Sequence, residues 1–361
     1  MFDSFFGLFS HDLAIDLGTA NILVLVRGKG IVVREPSCVA RQRKTKRILA
    51  IGTEAKKMLG KTPSSIEALR PLRDGVIADF DATQAMLSYY IKKVHESPNK
   101  TSFFIPNNLL PKVPRPRVVI GIPSGVTEVE RRAVQEAALA AGARKAYIIE
   151  EPMAAAIGAG LPIENAGGSL ICDIGGGTTE MAVISLGGIV VSKCLRVAGD
   201  EMDEAIVSFC RLKYSLLIGE TSAEEVKIQI GSAFMSKSVT DDDRQTVVRG
   251  RDLENGLPKS IKLNRNEIRE ALAPVLNQII EGVSELIEET PPELVGDLME
   301  NGLALAGGGS LLEGMDKLVA QETKMPVWRA DDPQTCVVKG CGKVLDNEKL
   351  LEKVRVTGGL R

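Results

Sequence analysis

At 361 residues, 44% hydrophobic and 25% charged, the chain has an ordinary α/β composition and room for two cores. A formal net charge of −2 supplies no global field toward nucleic acid, so no nucleic-acid partner is expected. No apolar run approaches the roughly 20 residues that a membrane-crossing helix needs. The first residues lack the basic start and small-residue cleavage site of a signal peptide. Neither observation excludes lying on a membrane surface.

In chain order, the first pattern is a concentration of phenylalanine: Phe2, Phe5, Phe6 and Phe9 fall within the first ten residues. On a helix these positions share one face, while Asp3, Gly7 and Ser10 lie elsewhere. So short a helix is marginal in water and is expected to form on a surface that buries the aromatic face. That surface is a membrane, or else the protein itself or a partner. Four buried phenylalanines give an upper bound of about 6–12 kcal/mol before ordering costs.

A strand over Leu13-Ala14-Ile15-Asp16 ends in a carboxylate, and the turn Leu17-Gly18-Thr19-Ala20-Asn21 leads into a second strand, Ile22 to Val26. A third strand is expected over Gly30 to Arg34, then a basic stretch from Arg41 to Arg47 and a helix near Asp81 to Glu96. Between Pro98 and Pro116, Phe103-Phe104-Ile105 and Leu109-Leu110 make a second apolar, loop-like segment. A buried strand follows over Val118 to Ile122. Thr127 with Glu130 forms a capping box for a helix through Ala141, which Gly142 stops.

The strand–carboxylate–glycine pattern then recurs. Leu170-Ile171-Cys172-Asp173 precedes Ile174-Gly175-Gly176-Gly177-Thr178-Thr179-Glu180, followed by a strand from Met181 to Ile184 and another from Ile189 to Cys194. Helices are expected over Asp203–Tyr214, Ala223–Phe234 and Asn266–Thr290, and a strand over Leu303–Ala306 leads into Gly307-Gly308-Gly309-Ser310. Backbone N–H groups gathered at a glycine turn beside a carboxylate suit a nucleotide's phosphates and their divalent cation. Asp16 and Asp173 are the expected Mg²⁺ partners, through water. Thr19, Ala20 and Asn21 face the β- and γ-phosphates from one side, and Gly175, Gly176, Gly177 and Thr178 from the other. The bland alternative is two aspartates that cap their own turns.

The remaining chemistry is sparse. Six scattered cysteines, several in apolar runs, indicate a reducing compartment rather than a disulfide framework, and Cys336 and Cys341 lack the second ligand pair of a zinc site. The two histidines, His11 and His95, are distant in sequence, which argues against a histidine-based catalytic pair. Strand–strand–strand–helix–strand–helix, twice over, is the ribonuclease H-like unit.

The segments from Asp16 to Asn21, Asp74 to Phe80, Glu128 to Ala133, Glu150 to Gly160, Asp173 to Glu180, Glu224 to Lys227, Val248 to Arg251 and Leu305 to Gly309, taken in order, resemble the MreB family of bacterial actin homologues. The resemblance implies an actin-like ATPase fold: two ribonuclease H-like domains around a nucleotide cleft, each with a smaller inserted subdomain. It divides the chain into a membrane-binding segment over 1–10; one subdomain over 11–34 and 75–150, rejoined by 341–361; and its insertion over 35–74. The second half divides into 151–190 with 262–340, and an insertion over 191–261. It implies that Glu224, Glu225, Val226 and Lys227 meet the ribose or adenine edge and that Gly307, Gly308, Gly309 and Ser310 wall the base. From spacing alone, Glu224 and Lys227 are a helical ion pair.

By the same resemblance Glu151 orients the water that attacks the γ-phosphate, with Thr178 holding that water from the opposite hairpin. Its competing reading is a helix N-terminal carboxylate favoured by the dipole. A slow ATPase coupled to assembly is implied, with ATP and Mg²⁺ as cofactors and self-assembly into antiparallel double filaments that guide cell-wall elongation and rod shape. RodZ and MreC/MreD-type proteins are the implied partners. The implied location is cytoplasmic, peripheral on the inner membrane face through Phe2, Phe5, Phe6, Phe9, Phe103 and Phe104. A sugar or acid kinase on the same fold is the alternative. It would need an aspartate base beside the γ-phosphate, and none stands in a matching context. A DnaK-type chaperone is disfavoured because the chain is expected to leave no room for a peptide-binding domain.

Overall fold

The computed structural model describes residues 10–95, 115–235 and 243–356, so Phe2, Phe5, Phe6, Phe9, Phe103 and Phe104 lie outside the described residues. The chain forms two compact units, Met1–Gly158 with Val337–Arg361, and Ala159–Cys336.

In the first unit the strands are β1 (Leu13–Leu17), β2 (Asn21–Val26), β3 (Gly30–Pro36), β4 (Val39–Gln42), β5 (Ile48–Ile51), β6 (Ile66–Leu69), β7 (Leu72–Arg73), β8 (Val76–Ile77), β9 (Arg117–Ile122) and β10 (Lys145–Glu150). Five of them build one sheet in the order β10-β9-β1-β2-β3. β1 runs antiparallel to β2 and parallel to β9. Alternation decides the two faces. Leu13, Ile15 and Leu17 enter the core with Val118, Ile120 and Ile122, against Met86, Leu87, Tyr90 and Ile91 of helix Phe80–His95 and Ala137 and Ala138 of helix Glu128–Ala140. The latter helix starts on the expected Thr127–Glu130 capping box, and Gly142 beyond it has φ 111°.

The opposite face carries Asp16 and Gly121 and is met by helix Cys336–Asp346. Val337 lies against Gly121 and Gly342 against Leu25. Gly340 of that helix sits directly on the backbone of helix Glu151–Ala159, where an added Cβ would collide with the Ala154 carbonyl oxygen. Lys343 donates to the Ile157 carbonyl at 2.8 Å and completes the crossing.

A smaller sheet, β5-β4-β6, holds the start of the basic stretch. Arg41 is not a solvated charge there. It is buried and paired with Glu67 at 3.0 Å and Asp79 at 2.6 Å, and against the effect of burial its guanidinium holds the Asp79 carboxyl below its usual range. The two histidines, far apart in sequence, stack with ring centroids 5.9 Å apart. His95 donates from Nδ1 to the Ile91 carbonyl and accepts the His11 backbone N–H on Nε2 at 3.1 Å, while Lys29 donates to His11 Nε2 at 3.0 Å.

The second unit repeats the plan with β11 (Ser169–Ile174), β12 (Thr179–Ser185), β13 (Gly188–Leu195), β14 (Leu216–Leu217), β15 (Gln245–Asp252), β16 (Pro258–Asn264), β17 (Leu303–Ala306) and β18 (Val327–Arg329). Its main sheet has the order β13-β12-β11-β17-β18. β11 is antiparallel to β12 and parallel to β17, as β1 is to β2 and β9. Leu170, Cys172 and Ile174 pack with Met181 and Val183 against helices Gly199–Tyr214 and Arg265–Glu289. A three-stranded sheet β14-β15-β16 stands apart from it.

Some boundaries differ from those read in the sequence. The helices expected from Asp203 and Ala223 begin at Gly199 and Glu220, because glycines 199 and 219 open helical turns instead of ending loops. The second of them ends at Ile230 rather than Phe234, since Gly231 turns extended. The long helix gains a capping box from Asn264 and Glu267. All six cysteines are free. Among the described residues no helix is long and apolar enough to cross a membrane.

Gly340→Ala is expected to cost about 1–3 kcal/mol or more in denaturant unfolding, because backbone cannot yield to the added methyl. Unchanged stability would mean the helix crossing is loose. A pH effect follows from the histidine pair. Burial, then Lys29 and His95, lower the His11 pKa from its ordinary 6.5. The folded state thus holds fewer protons than the unfolded, so this stability is complete above about pH 6.5 and is lost as pH falls through the lowered value. Between about pH 7.5 and 5.5, the melting temperature should fall further for the wild type than for His11→Gln.

Candidate functional site

In the first unit, the hydrogen-bond register aligns Asp16 of β1 with Gly121 of β9 and Gly121 with Ile149 of β10. Two residues beyond Ile149 the chain turns into helix Glu151–Ala159. Glu151 comes back beside Gly121, its Cγ 3.4 Å from where a Cβ there would lie. Asp16 and Glu151 are thereby gathered at the carboxyl end of one sheet. Glu150, the last residue of β10, pairs with Ile122 and is half-buried. Burial pushes the Asp16 carboxyl up to about 7, so its ionised form gains from any cation brought close. Burial, with Asp16 and Glu151 nearby, also raises the Cys341 thiol well above its usual range, which keeps it inert.

The turn after β1 is held from outside. Ser37 donates its hydroxyl to the Gly18 carbonyl at 2.6 Å and its N–H to the Ala20 carbonyl at 3.0 Å. The Gly75 N–H donates to Thr19 Oγ1 at 3.1 Å from a turn in which Asp74 and Gly75 have φ 50° and 75°. These contacts occupy carbonyls and a hydroxyl. The Gly18, Thr19 and Ala20 N–H groups make no hydrogen bond among the described residues.

The second unit presents the same arrangement. Gly175 donates to the Thr178 carbonyl at 2.8 Å, closing the turn after Asp173. The Gly176, Gly177 and Thr178 N–H groups make no hydrogen bond among the described residues. The last glycine segment packs behind this turn. Ala306 pairs with Asp173, and Gly307, at φ +79°, lies so close that a Cβ would strike the Ile174 carbonyl and the Asp173 carboxylate. Only glycine fits there. Gly308 neighbours Gln334, and Gly309 abuts the Ile174 side chain. Ser310 is buried with its hydroxyl on the Gly307 carbonyl, so it shapes the segment from inside.

Glu224, Glu225, Val226 and Lys227 lie on helix Glu220–Ile230. Lys227 forms an ion pair with Asp203 on the neighbouring helix at 2.8 Å, a partner that spacing along its own helix does not suggest. Lys227 also donates to the Gly199 carbonyl at 2.7 Å. Burial, offset by Lys227 and reinforced by Glu224 and Asp200, raises the Asp203 carboxyl to about 6.

The sequence reading missed Ser37 and Gly75 behind the first turn, Asp203 and Gly199 behind the second, and Glu180. The last is buried directly across from Asp173 on β12. Its place could have been read from hairpin symmetry, since a two-strand register puts the residue after Thr179 opposite Asp173. The others depend on contacts distant in sequence.

A family model described as MreB/Mbl protein matches residues 10–353. The chain is 51% identical over 350 residues to the cell shape-determining protein MreB of Escherichia coli strain K12, covering 96% of each. It is 43% identical over 350 residues to the cell shape-determining protein Mbl of Bacillus subtilis strain 168, covering 97% of this chain and all of that one. The crystal structure of MreB5 of Spiroplasma citri bound to ADP superposes with a TM-score of 0.85 at 39% identity, covering 96% of this chain and 98% of that one. The same protein has been solved bound to AMPPNP.

Gly307→Ala should destabilise the second unit by about 2 kcal/mol or more, since both the φ and the space oppose a methyl. Gly308→Ala, which meets only Gln334, should change stability little. Equal effects in thermal unfolding would contradict the packing described.

Proposed function

The chain belongs to the MreB/Mbl family, and on that footing we propose that it is a membrane-associated, actin-like cytoskeletal ATPase whose ATP-bound copies polymerise and set cell shape. The observation that carries the reading is the duplicated strand-end turn: in each sheet, three consecutive N–H groups without an internal acceptor stand next to an aspartate. Such a turn is a phosphate cradle. Relatives solved with ADP and AMPPNP support a nucleotide as the ligand. The kinase alternative has no support in these matches.

Within this reading, Thr19, Ala20 and Asn21 and Gly175 to Thr178 bind the β- and γ-phosphates, and Glu224 to Lys227 with Gly307 to Ser310 frame the ribose and base. Asp16 and Asp173 fit Mg²⁺ through its water shell. Among the described residues no three His, Cys, Asp or Glu side chains gather as a direct ligand set, and Mg²⁺ retains several waters when phosphates supply the rest. When bound, the ion neutralises phosphate charge. Glu151, at a helix start beside Gly121, orients the attacking water by accepting its hydrogen bond, assisted by Thr178. A carboxylate that orients water without a stronger base gives slow turnover, suited to timing filament disassembly.

The subdomain assignments are carried forward on the same footing: 11–34, 75–150 and 341–361 around an insertion at 35–74, and 151–190 and 262–340 around one at 191–261. So are the antiparallel double filament, the role in cell-wall elongation with RodZ and MreC/MreD-type partners, and a place on the cytoplasmic membrane face.

Glu151→Ala should lower phosphate release at least ~100-fold while leaving Mg·ATP affinity within a few-fold, because the residue acts on water rather than on the nucleotide. Filaments of this variant, seen by negative-stain electron microscopy, should persist longer after ATP addition. Hydrolysis at the wild-type rate would remove Glu151 from the mechanism. Deleting residues 2–9 together with Phe103→Ser and Phe104→Ser should abolish co-sedimentation with liposomes. Undiminished binding would refute the membrane role of these segments.

A further inference from the structure

We propose that Asp203 is a positioning residue for the nucleotide: through Lys227 and Gly199 it fixes the turn Gly175–Thr178 without touching the ligand. The proposal rests on the reading of that turn as a phosphate cradle.

The start of helix Gly199–Tyr214 is built against the turn. Gly199 donates its N–H to the Gly175 carbonyl at 3.3 Å, and Asp200 donates to the Gly176 carbonyl at 2.7 Å. The first N–H groups of a helix have no acceptor in their own helix, so they are available to hold something else. Here they hold the backs of two glycines and leave the N–H groups of Gly176, Gly177 and Thr178 available to a ligand. The approach is close: a Cβ on Gly199 would stand 3.2 Å from the Gly175 carbonyl oxygen and 3.5 Å from that of Gly176. Any shift of this helix start moves the cradle.

Lys227 decides where the helix start sits. Its ammonium reaches across from helix Glu220–Ile230 to the Gly199 carbonyl at 2.7 Å and to Asp203 at 2.8 Å. An ammonium at the N-terminal end of a helix is opposed by the dipole. Asp203, one turn in and buried, supplies the compensating charge, with Asp200 and Glu224 near it. Asp203, Lys227 and Gly199 therefore form one clasp, and removing its anion leaves a half-buried ammonium against a helix start. Two of the three donors of Lys227 serve this clasp, which makes its main work internal even though its helix was expected to border the ribose.

The test uses the full chain with Mg·ATP and with adenosine, which lacks phosphate, as ligands. Asp203→Asn and Lys227→Met should each weaken Mg·ATP binding about ten-fold, and the double variant should be no weaker than the poorer single one. Adenosine affinity should stay within about two-fold of wild type for Asp203→Asn, and amide exchange at Gly176 to Thr178 should quicken in both single variants. Parallel loss of adenosine affinity in Asp203→Asn would assign Asp203 to the ribose or base instead and overturn the proposal. So would Mg·ATP affinity within about two-fold of wild type for Asp203→Asn. Should Asp203→Asn fail to fold, Lys227→Met is read by amide exchange at Gly176 to Thr178, and exchange unchanged from wild type would overturn the proposal. A wild-type chain that does not bind Mg·ATP would defeat the cradle reading itself. Wild-type binding with unaffected variants would defeat only the clasp.

Discussion

A tight glycine turn at the end of a buried strand leaves several of its N–H groups without an acceptor among the described residues, and this constraint organises both units. The ladder ends and the next strand leaves antiparallel. In the second turn the Gly175 N–H returns to the Thr178 carbonyl, while Gly176, Gly177 and Thr178 make no hydrogen bond among the described residues. In the first unit Ser37 and Gly75 occupy the turn's carbonyls and the Thr19 hydroxyl, but not those amides. In the second, Gly199 and Asp200 do the same for Gly175 and Gly176. On the proposed reading a phosphate meets these amides, and the neighbouring aspartate favours the cation that comes with it.

Much else in the fold serves to keep these turns rigid. Parallel strands β9 and β17 flank the first strand of each sheet and extend the carboxyl edge on which the chemistry stands. Close approaches remove slack behind that edge: Gly307 against Asp173, and Gly340 against Ala154 at the foot of the helix that carries Glu151. Asp16 lies deep enough for its carboxyl to titrate near neutrality.

The hairpins were legible in the sequence because alternation, a terminal carboxylate and glycine are local signals. The duplication was legible because it repeats them. The Thr127–Glu130 capping box and the strand Leu303–Ala306 stand where local chemistry put them. Contacts whose partners are set by tertiary packing were not legible. Nothing in the spacing of Arg41 says that Asp79 will pair with it, or that Lys227 will reach Asp203. The helices expected from Asp203 and Ala223 begin earlier, at Gly199 and just after Gly219, because at a helix start glycine costs little and allows close packing. His11 and His95 illustrate the same limit, for distance along the chain gave no hint of their stacking.

The proposal most open to test is that Asp16 and Asp173 each contribute to Mg²⁺-dependent nucleotide binding. Isothermal titration of ATP, with and without Mg²⁺, into the wild-type chain and the Asp16→Ala and Asp173→Ala variants tests it most directly. The expected result is about one site per chain whose affinity rises with Mg²⁺, and loss of that rise in each variant. Full retention of Mg²⁺-dependent binding by either variant would contradict it.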